Sequence, residues 1–126
     1  TLALVVHPGE YAICRLGPTE SSPQWVPAAG FSWIVRTATE VAVVCRADAV
    51  PPDVTSEQAW GLLEIQGPFP FTATGILSSV LDPLAEAGIG ILATSTFDTD
   101  YVLVRTPQLK AAVAALVRAG HSVRNG

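Results

Sequence analysis

The chain has 126 residues, of which 49% are hydrophobic and only 14% are charged, so it can bury one compact core and is not a disordered chain. Its net charge is -4 and its seven Lys and Arg residues form no cluster, which argues against nucleic acid and anionic membrane as partners. Cys14 and Cys45 lie in apolar runs, which predicts two small buried side chains in a reduced, cytoplasmic protein and no zinc site.

The first half of the chain predicts short strands separated by loops that are rich in proline and small polar residues. The strand-like apolar runs are 2–6, 11–16, 31–37 and 41–46. The first run is too short for a signal peptide or a membrane span. Residues 47–59 are polar and carry prolines, which predicts a linker, and no segment of this half has a clear helical pattern.

The second half begins with a predicted strand, 60–67, and continues into a helix. Thr74 is a suitable N-cap for this helix, and Gly88 is a suitable residue just beyond its end. The apolar residues fall at helical spacing and predict one buried face. Pro83 has no N–H donor, so we expect a kink or a restart there, with Asp82 as a local cap.

Two further strands, followed by a second helix and a short last strand, complete the predicted pattern. Thr106 is predicted to cap the second helix, with Pro107 in its first position and Gly120 at its end. The order from Trp60 onward is therefore β-α-β-β-α-β, which predicts an α+β, ferredoxin-like unit. Its helices cover one face of an antiparallel sheet, so something must cover the other face.

The segment between the middle strands, Ser95–Asp100, carries three hydroxyl residues and two carboxylates. Catalysis at this segment would need an activating base, and we expect His7 and His121 to be surface or edge residues. No metal-ligand spacing and no glycine-rich phosphate loop accompany it. We therefore predict no enzyme activity, no catalytic residue, no metal site and no cofactor.

The start of the first helix offers a different chemistry. Its unpaired amides and positive dipole end suit a carboxylate, and the hydroxyls of Thr72 and Thr74 lie at the same end. Asp98 and Asp100 could meet an ammonium group, so the two features together match an α-amino acid. Two simpler interpretations stay open: Thr74 only caps the helix, and the Asp, Thr and Ser residues only shape a tight turn.

The stretch GILSSVLDPLAEAGIGILATSTFDTDYVLVR, residues 75–105, resembles an ACT domain of the type found in the regulatory part of aspartate kinases. It resembles more closely the small bacterial tandem ACT-like proteins, and it is also similar to the ACT-like units of cytosolic arginine sensors. The first half fits the N-terminal unit of that group through PGEYAICRL, FSWIVRT and EVAVVC. Two departures from the expected pattern are Phe97 in place of Tyr and Pro70 in place of Asp.

The resemblance implies a tandem arrangement, with residues 1–59 as a degenerate N-terminal ACT-like unit and residues 60–126 as a C-terminal ACT-like unit. It also implies a ligand held between ACT units by the loop before the first helix and by the segment between the middle strands. The ligand-binding residues that it predicts are Gly67, Pro68, Thr72, Thr74, Gly75, Ile76, Ser95, Thr96, Phe97, Asp98, Thr99 and Asp100.

The function implied by these observations is that of a stand-alone ACT-like regulatory module. It is expected to bind a small molecule, an amino acid in the first instance, and to signal by a change of conformation or assembly. A homodimer through sheet or helix pairing is compatible with the fold. The alternative is a structural or protein–protein interaction module without a ligand.

Overall fold

The computed structural model describes residues 1–126 and contains seven strands and two α-helices. The strands are β1 Ala3–Leu16, β2 Trp33–Arg36, β3 Val41–Arg46, β4 Thr55–Ile65, β5 Ile91–Ser95, β6 Asp100–Arg105 and β7 Ser122–Asn125. The helices are α1 Ile76–Glu86 and α2 Leu109–Arg118, and short 3-10 turns span Ala47–Ala49 and Thr106–Gln108. Neither helix is long and apolar enough to cross a membrane.

The chain forms two compact units. The first, called here the helical unit, consists of Thr1–Pro8 and Gly61–Gly126, and the second, called the strand unit, is Gly9–Trp60. Strands β1 and β4 each contribute residues to both units. The assignment of residues 1–59 and 60–126 to two ACT-like domains stays a prediction, and the structure groups the first eight residues with the helical unit.

The helical unit has the predicted order of elements. From β4 onward the chain runs β4, α1, β5, β6, α2, β7, which confirms the β-α-β-β-α-β pattern and the α+β, ferredoxin-like class. The strand order in its sheet is β7-β1-β4-β6-β5. Strand β1 is an additional member, and β7 pairs with it in parallel, with Ala3 opposite Ser122.

The main core of the helical unit lies between its sheet and its two helices. Alternate strand residues face the helices because successive side chains of a strand point to opposite faces. The fully buried members from the strands and helices are Leu4, Leu63, Ile65, Val102, Val104, Val80, Leu84, Ala112 and Leu116. Leu62 and Leu103 alternate with these strand residues, point to the other face and are also buried. The face opposite the helices is therefore covered at these positions, as predicted.

The start of each helix differs from the prediction. Gly75, with φ 75°, is the N-cap of α1, and no side chain caps this helix, so the predicted Thr74 cap is wrong. The predicted Thr106 cap of α2 is also wrong, because residues 106–108 form a 3-10 turn and α2 begins after Gln108. The Thr106 hydroxyl is buried without a hydrogen-bond partner. The helix ends match the prediction, since Gly88 and Gly120 have φ angles of 75° and 98°.

Helix α1 continues through Pro83, so the predicted restart with an Asp82 cap does not occur. Pro83 has no N–H, and the carbonyl four residues earlier, that of Ser79, therefore lacks its helical donor. His121 supplies the missing donor through Nε2, which lies 2.8 Å from the Ser79 oxygen. His121 was predicted to be a surface or edge residue, and the prediction of an exposed position is wrong because this side chain is buried.

The strand unit has the strand order β2-β3-β1-β4 and contains no α-helix. Its core includes Cys14 and Cys45, which are buried and form no disulfide, as predicted for small apolar side chains. Cys14 pairs with Val43 across β1 and β3, and Cys45 lies two positions further along β3. Burial raises the pKa of the Cys14 thiol to about 11, with a smaller contribution from the nearby Cys45.

Candidate functional site

A cavity of about 280 Å³ opens in the helical unit, between the start of α1 and the turn that joins β5 to β6. Eight of the twelve residues predicted from the sequence line it: Gly75, Ile76, Ser95, Thr96, Phe97, Asp98, Thr99 and Asp100. The other four, Gly67, Pro68, Thr72 and Thr74, do not line it. The structure thus brings two predicted segments together as opposite walls of the cavity. One wall is the start of α1, with the loop before it, and the other is the β5–β6 turn, about twenty residues further along the sequence.

Gly67 explains how the two walls approach each other so closely. A Cβ atom at this position would lie 2.2 Å from the backbone oxygen of Asp98, which is closer than any side chain tolerates. The same oxygen accepts a hydrogen bond of 3.0 Å from the N–H of Phe69. Gly67 therefore acts on the site through the backbone, because its missing side chain lets the β4–α1 loop lie against the β5–β6 turn.

The β5–β6 turn is stabilised by its own hydroxyl groups. Thr96 N–H donates to the Thr99 carbonyl at 2.8 Å, and the Thr99 N–H donates to Thr96 Oγ1 at 3.2 Å. The two threonine hydroxyls are 3.0 Å apart. At the end of the hairpin the Ser95 hydroxyl donates to the Asp100 carboxylate. For these four residues the turn interpretation has direct support, since each of them bonds within the turn.

Asp98 differs from its neighbours in the turn. Its side chain is exposed and lines the cavity, and its carboxylate has no hydrogen-bond or ion-pair partner within the chain. Asp100, in contrast, is engaged by Ser95. The sequence could not distinguish these two carboxylates, but the structure does. Asp100 is held within the turn, whereas the Asp98 carboxylate is available to a cation.

The N-terminus of α1 forms the opposite wall. Gly75, Ile76, Leu77 and Ser78 all line the cavity, and no side chain bonds to the helix cap. The first amides of a helix have no intrahelical acceptor and carry the positive end of the helix dipole. Gly75 adopts a left-handed conformation, which costs a glycine little. The chemistry of this wall suits a negatively charged group.

Two phenylalanine rings, one from each wall, meet at the cavity. The centroids of Phe71 and Phe97 are 5.1 Å apart and the ring planes make an angle of 77°, an edge-to-face arrangement. Each side chain is 78% exposed. The individually predicted ligand-binding residues include Phe97 but not Phe71, although Phe71 lies in the predicted loop before α1 and the aromatic residues of PFPF were a signal for it.

Comparisons with known protein families match both parts of the chain. A family model described as an ACT domain matches residues 55–118, and a second model, described as an N-terminal domain, matches residues 9–53. The first match confirms the resemblance on which the sequence interpretation rests.

Two solved structures and one curated relative are similar to this chain. The crystal structure of a protein from Agrobacterium tumefaciens is 42% identical, with a TM-score of 0.93 over 99% of this chain and 93% of that one. The ligand-free regulatory subunit of aspartate kinase from Thermus thermophilus shares the fold, with a TM-score of 0.66, 13% identity and coverage of 93% and 97%. The cytosolic arginine sensor for mTORC1 subunit 1 from Bos taurus is 34% identical over 68 residues. That alignment spans 50% of this chain and 21% of the sensor.

Proposed function

This chain belongs to the ACT domain family, and on that premise we propose that it is a regulatory module that binds an α-amino acid. Binding would be read out as a change of conformation or assembly. A chain with the same fold is a regulatory subunit of aspartate kinase, and a relative of part of the chain is an arginine sensor. The two buried cysteines, which form no disulfide, support a cytoplasmic location.

The observation that carries the proposal is that one cavity is lined by a positive helix end and by a carboxylate. The N-terminus of α1 offers amides and a positive dipole end, and the unpartnered carboxylate of Asp98 lies on the other wall. An α-amino acid carries a carboxylate and an ammonium group on the same carbon. In our proposal the carboxylate accepts hydrogen bonds from the first amides of α1, and the ammonium group pairs with Asp98.

The same geometry gives a route from binding to a signal. A ligand that contacts both walls favours the arrangement in which the β4–α1 loop and the β5–β6 turn lie together. Phe69 and Asp98 join these walls through one backbone hydrogen bond of 3.0 Å. A ligand can shift only an equilibrium between states for which its affinity differs, and a state with the walls apart would lose the ligand's contacts to one of them.

The contacts of the histidines support a binding role over a catalytic one. His7 Nε2 lies 2.8 Å from the Glu64 carboxylate, and His121 is held between Ser79 and Leu2. Both imidazoles therefore have structural partners away from the cavity. The Ser95 hydroxyl, the most obvious nucleophile of the segment, donates to a carboxylate that also belongs to the turn.

The experiment is a thermal-shift screen of the purified chain against the standard amino acids, followed by calorimetric titration of any hit. A ligand at 100 times its Kd should stabilise the protein by about 2.7 kcal/mol. Asp98→Asn should weaken binding strongly, and Asp53→Asn, which changes an exposed carboxylate in the strand unit, is the matched control. The proposal is wrong if no amino acid shifts the melting temperature at millimolar concentration, or if Asp98→Asn binds like the control.

A structural or assembly role is the second candidate, and edge strand β2 is the observation that favours it. This strand lies at the end of the strand order, and its Ile34 and Val35 side chains are 43% and 48% exposed. An exposed edge strand with apolar side chains can pair with another chain. A homodimer formed in this way should dissociate in Val35→Lys, as sedimentation velocity would show, whereas Asp98→Asn should leave it intact.

A further inference from the structure

The rings of Phe71 and Phe97 line the cavity but bind neither the carboxylate nor the ammonium group of the proposed amino acid. We propose that this pair recognises the side chain of the ligand, and that this side chain is apolar and uncharged, with an aromatic ring preferred. The inference rests on the proposed function, because it specifies which amino acid the same cavity selects.

The charges that line the cavity disfavour a ligand with a charged side chain. The lining contains two carboxylates and no Lys, Arg or His, so an acidic side chain would meet repulsion and no cation. Asp98 is assigned to the ammonium group, and Asp100 is bound by Ser95. A basic side chain would thus find no second unpartnered carboxylate. An uncharged side chain is the class that this set of groups accommodates without a penalty.

The exposure of the two rings indicates that their surface is available for contact with a ligand. Phe71 and Phe97 are each 78% exposed, whereas the chain's other two phenylalanines, Phe31 and Phe69, are partly buried. The edge-to-face arrangement uses one edge and one face of the pair, and the high exposure of both residues indicates that other parts of the rings face solvent. A further ring placed against these faces gains both apolar burial and favourable aromatic geometry. The cavity volume, about 280 Å³, suits a single small ligand.

The test compares L-phenylalanine with L-alanine, which carries the same ammonium and carboxylate groups but has almost no side chain. Calorimetric titration of the full chain should show phenylalanine binding about tenfold or more tightly than alanine. Phe71→Ala and Phe97→Ala should each reduce this preference by about two- to tenfold, the range expected for one aromatic contact. The affinity for alanine should stay the same in both variants.

Two conservative variants distinguish an aromatic contribution to ligand binding from a merely apolar one. Phe97→Tyr keeps a ring and should retain the preference for phenylalanine, whereas Phe71→Leu keeps an apolar side chain and should lose part of it. Both wild-type rings are exposed, so we expect all four variants to remain folded, which thermal unfolding would verify.

Several results would overturn the inference. Equal affinity for alanine and phenylalanine, or tighter binding of L-aspartate or L-arginine than of phenylalanine, would leave the proposed function standing and remove this specificity. The inference is also wrong if Phe71→Ala and Phe97→Ala still bind phenylalanine more tightly than alanine but have a changed sedimentation coefficient. That result would assign the two rings to a contact with another protein chain. If no amino acid binds, the proposed function and this inference both fail.

Discussion

His121 donates its Nε2–H to the carbonyl of Ser79, across 2.8 Å, at the one place in α1 where Pro83 removes the helical donor. The other ring nitrogen, Nδ1, accepts a hydrogen bond of 3.1 Å from the backbone N–H of Leu2. A backbone N–H can only donate, so the buried imidazole is the neutral tautomer with its proton on Nε2. One side chain thereby compensates for a proline inside a helix and ties that helix to the segment before β1.

This relationship predicts that the effects of substitutions at Pro83 and His121 are not additive. His121→Phe should lower the free energy of unfolding by about 1–3 kcal/mol, because the Ser79 carbonyl and the Leu2 N–H both lose their partner. In a Pro83→Ala background the new N–H can bond to Ser79, so the same substitution should cost about 1 kcal/mol less. Urea denaturation of the two single variants and the double variant measures this coupling. Additive costs would show that His121 does not replace the donor missing at Pro83.

Gly67→Ala should disrupt the candidate site without any change in the residues that line it. The new Cβ would lie 2.2 Å from the Asp98 backbone oxygen, and a backbone atom cannot move aside as a flexible side chain would. We expect a loss of about 1–3 kcal/mol in the free energy of unfolding and a strong loss of ligand affinity.

Gly90→Ala is the matched control for Gly67→Ala, because a Cβ at position 90 meets no atom within 4 Å. Both variants should be compared by urea denaturation and by calorimetry with the same amino acid. Equal stability and equal affinity in the two variants would contradict the close approach of the β4–α1 loop to the β5–β6 turn.

Thr106→Val should stabilise the protein. The Thr106 hydroxyl oxygen is buried and has no hydrogen-bond partner, and valine has nearly the same shape with a methyl group in place of the hydroxyl. Removing a buried unsatisfied group should raise the free energy of unfolding by about 1 kcal/mol. Thr106→Ser keeps the hydroxyl and loses the methyl group, so it should not be stabilising. A destabilised valine variant would indicate that the hydroxyl has a partner, such as an ordered water molecule.

The elements of the helical unit could be predicted because their signals are local. Gly88 and Gly120 mark helix ends by their tolerance of positive φ, and apolar spacing defines the buried faces of both helices. The helix starts could not be predicted in the same way. Thr106 satisfies the sequence rule for a cap, yet Pro107 continues into a 3-10 turn and the hydroxyl points into the protein.

The features that sequence reasoning missed depend on contacts between distant residues. The parallel pairing of β1 with β7 joins the two ends of the chain, and no local pattern specifies it. The same is true of His121, whose partners Ser79 and Leu2 lie far away in the sequence. At the candidate site, Asp98 and Asp100 are the same residue type, so the sequence alone cannot assign them different roles. The hydrogen bond from Ser95 to Asp100 distinguishes them in the structure.

The thiol of Cys14 should be unreactive in the folded protein at neutral pH. Burial, followed by the neighbouring Cys45, raises its pKa from 9.0 to about 11. At pH 8 a thiol with that pKa is ionised in roughly one molecule in a thousand, against roughly one in ten for a thiol of pKa 9, and only the thiolate reacts with iodoacetamide. We therefore expect labelling of Cys14 to be slow in buffer and at least about a hundredfold faster in urea, as mass spectrometry after timed quenching would show.

The same shift predicts how stability depends on alkaline pH. The pKa of the folded state lies above that of the unfolded state, so between pH 9 and pH 11 the folded protein retains a proton that the unfolded chain has released. The contribution of the Cys14 thiol is fully present below pH 9 and is lost as the pH rises towards about 11. Cys14→Ala should remove this part of the alkaline decline while lowering stability at pH 7, since a buried sulfur is replaced by a smaller group. An identical alkaline decline in the variant and the wild type would show that Cys14 ionises in the folded protein as it does in the unfolded chain.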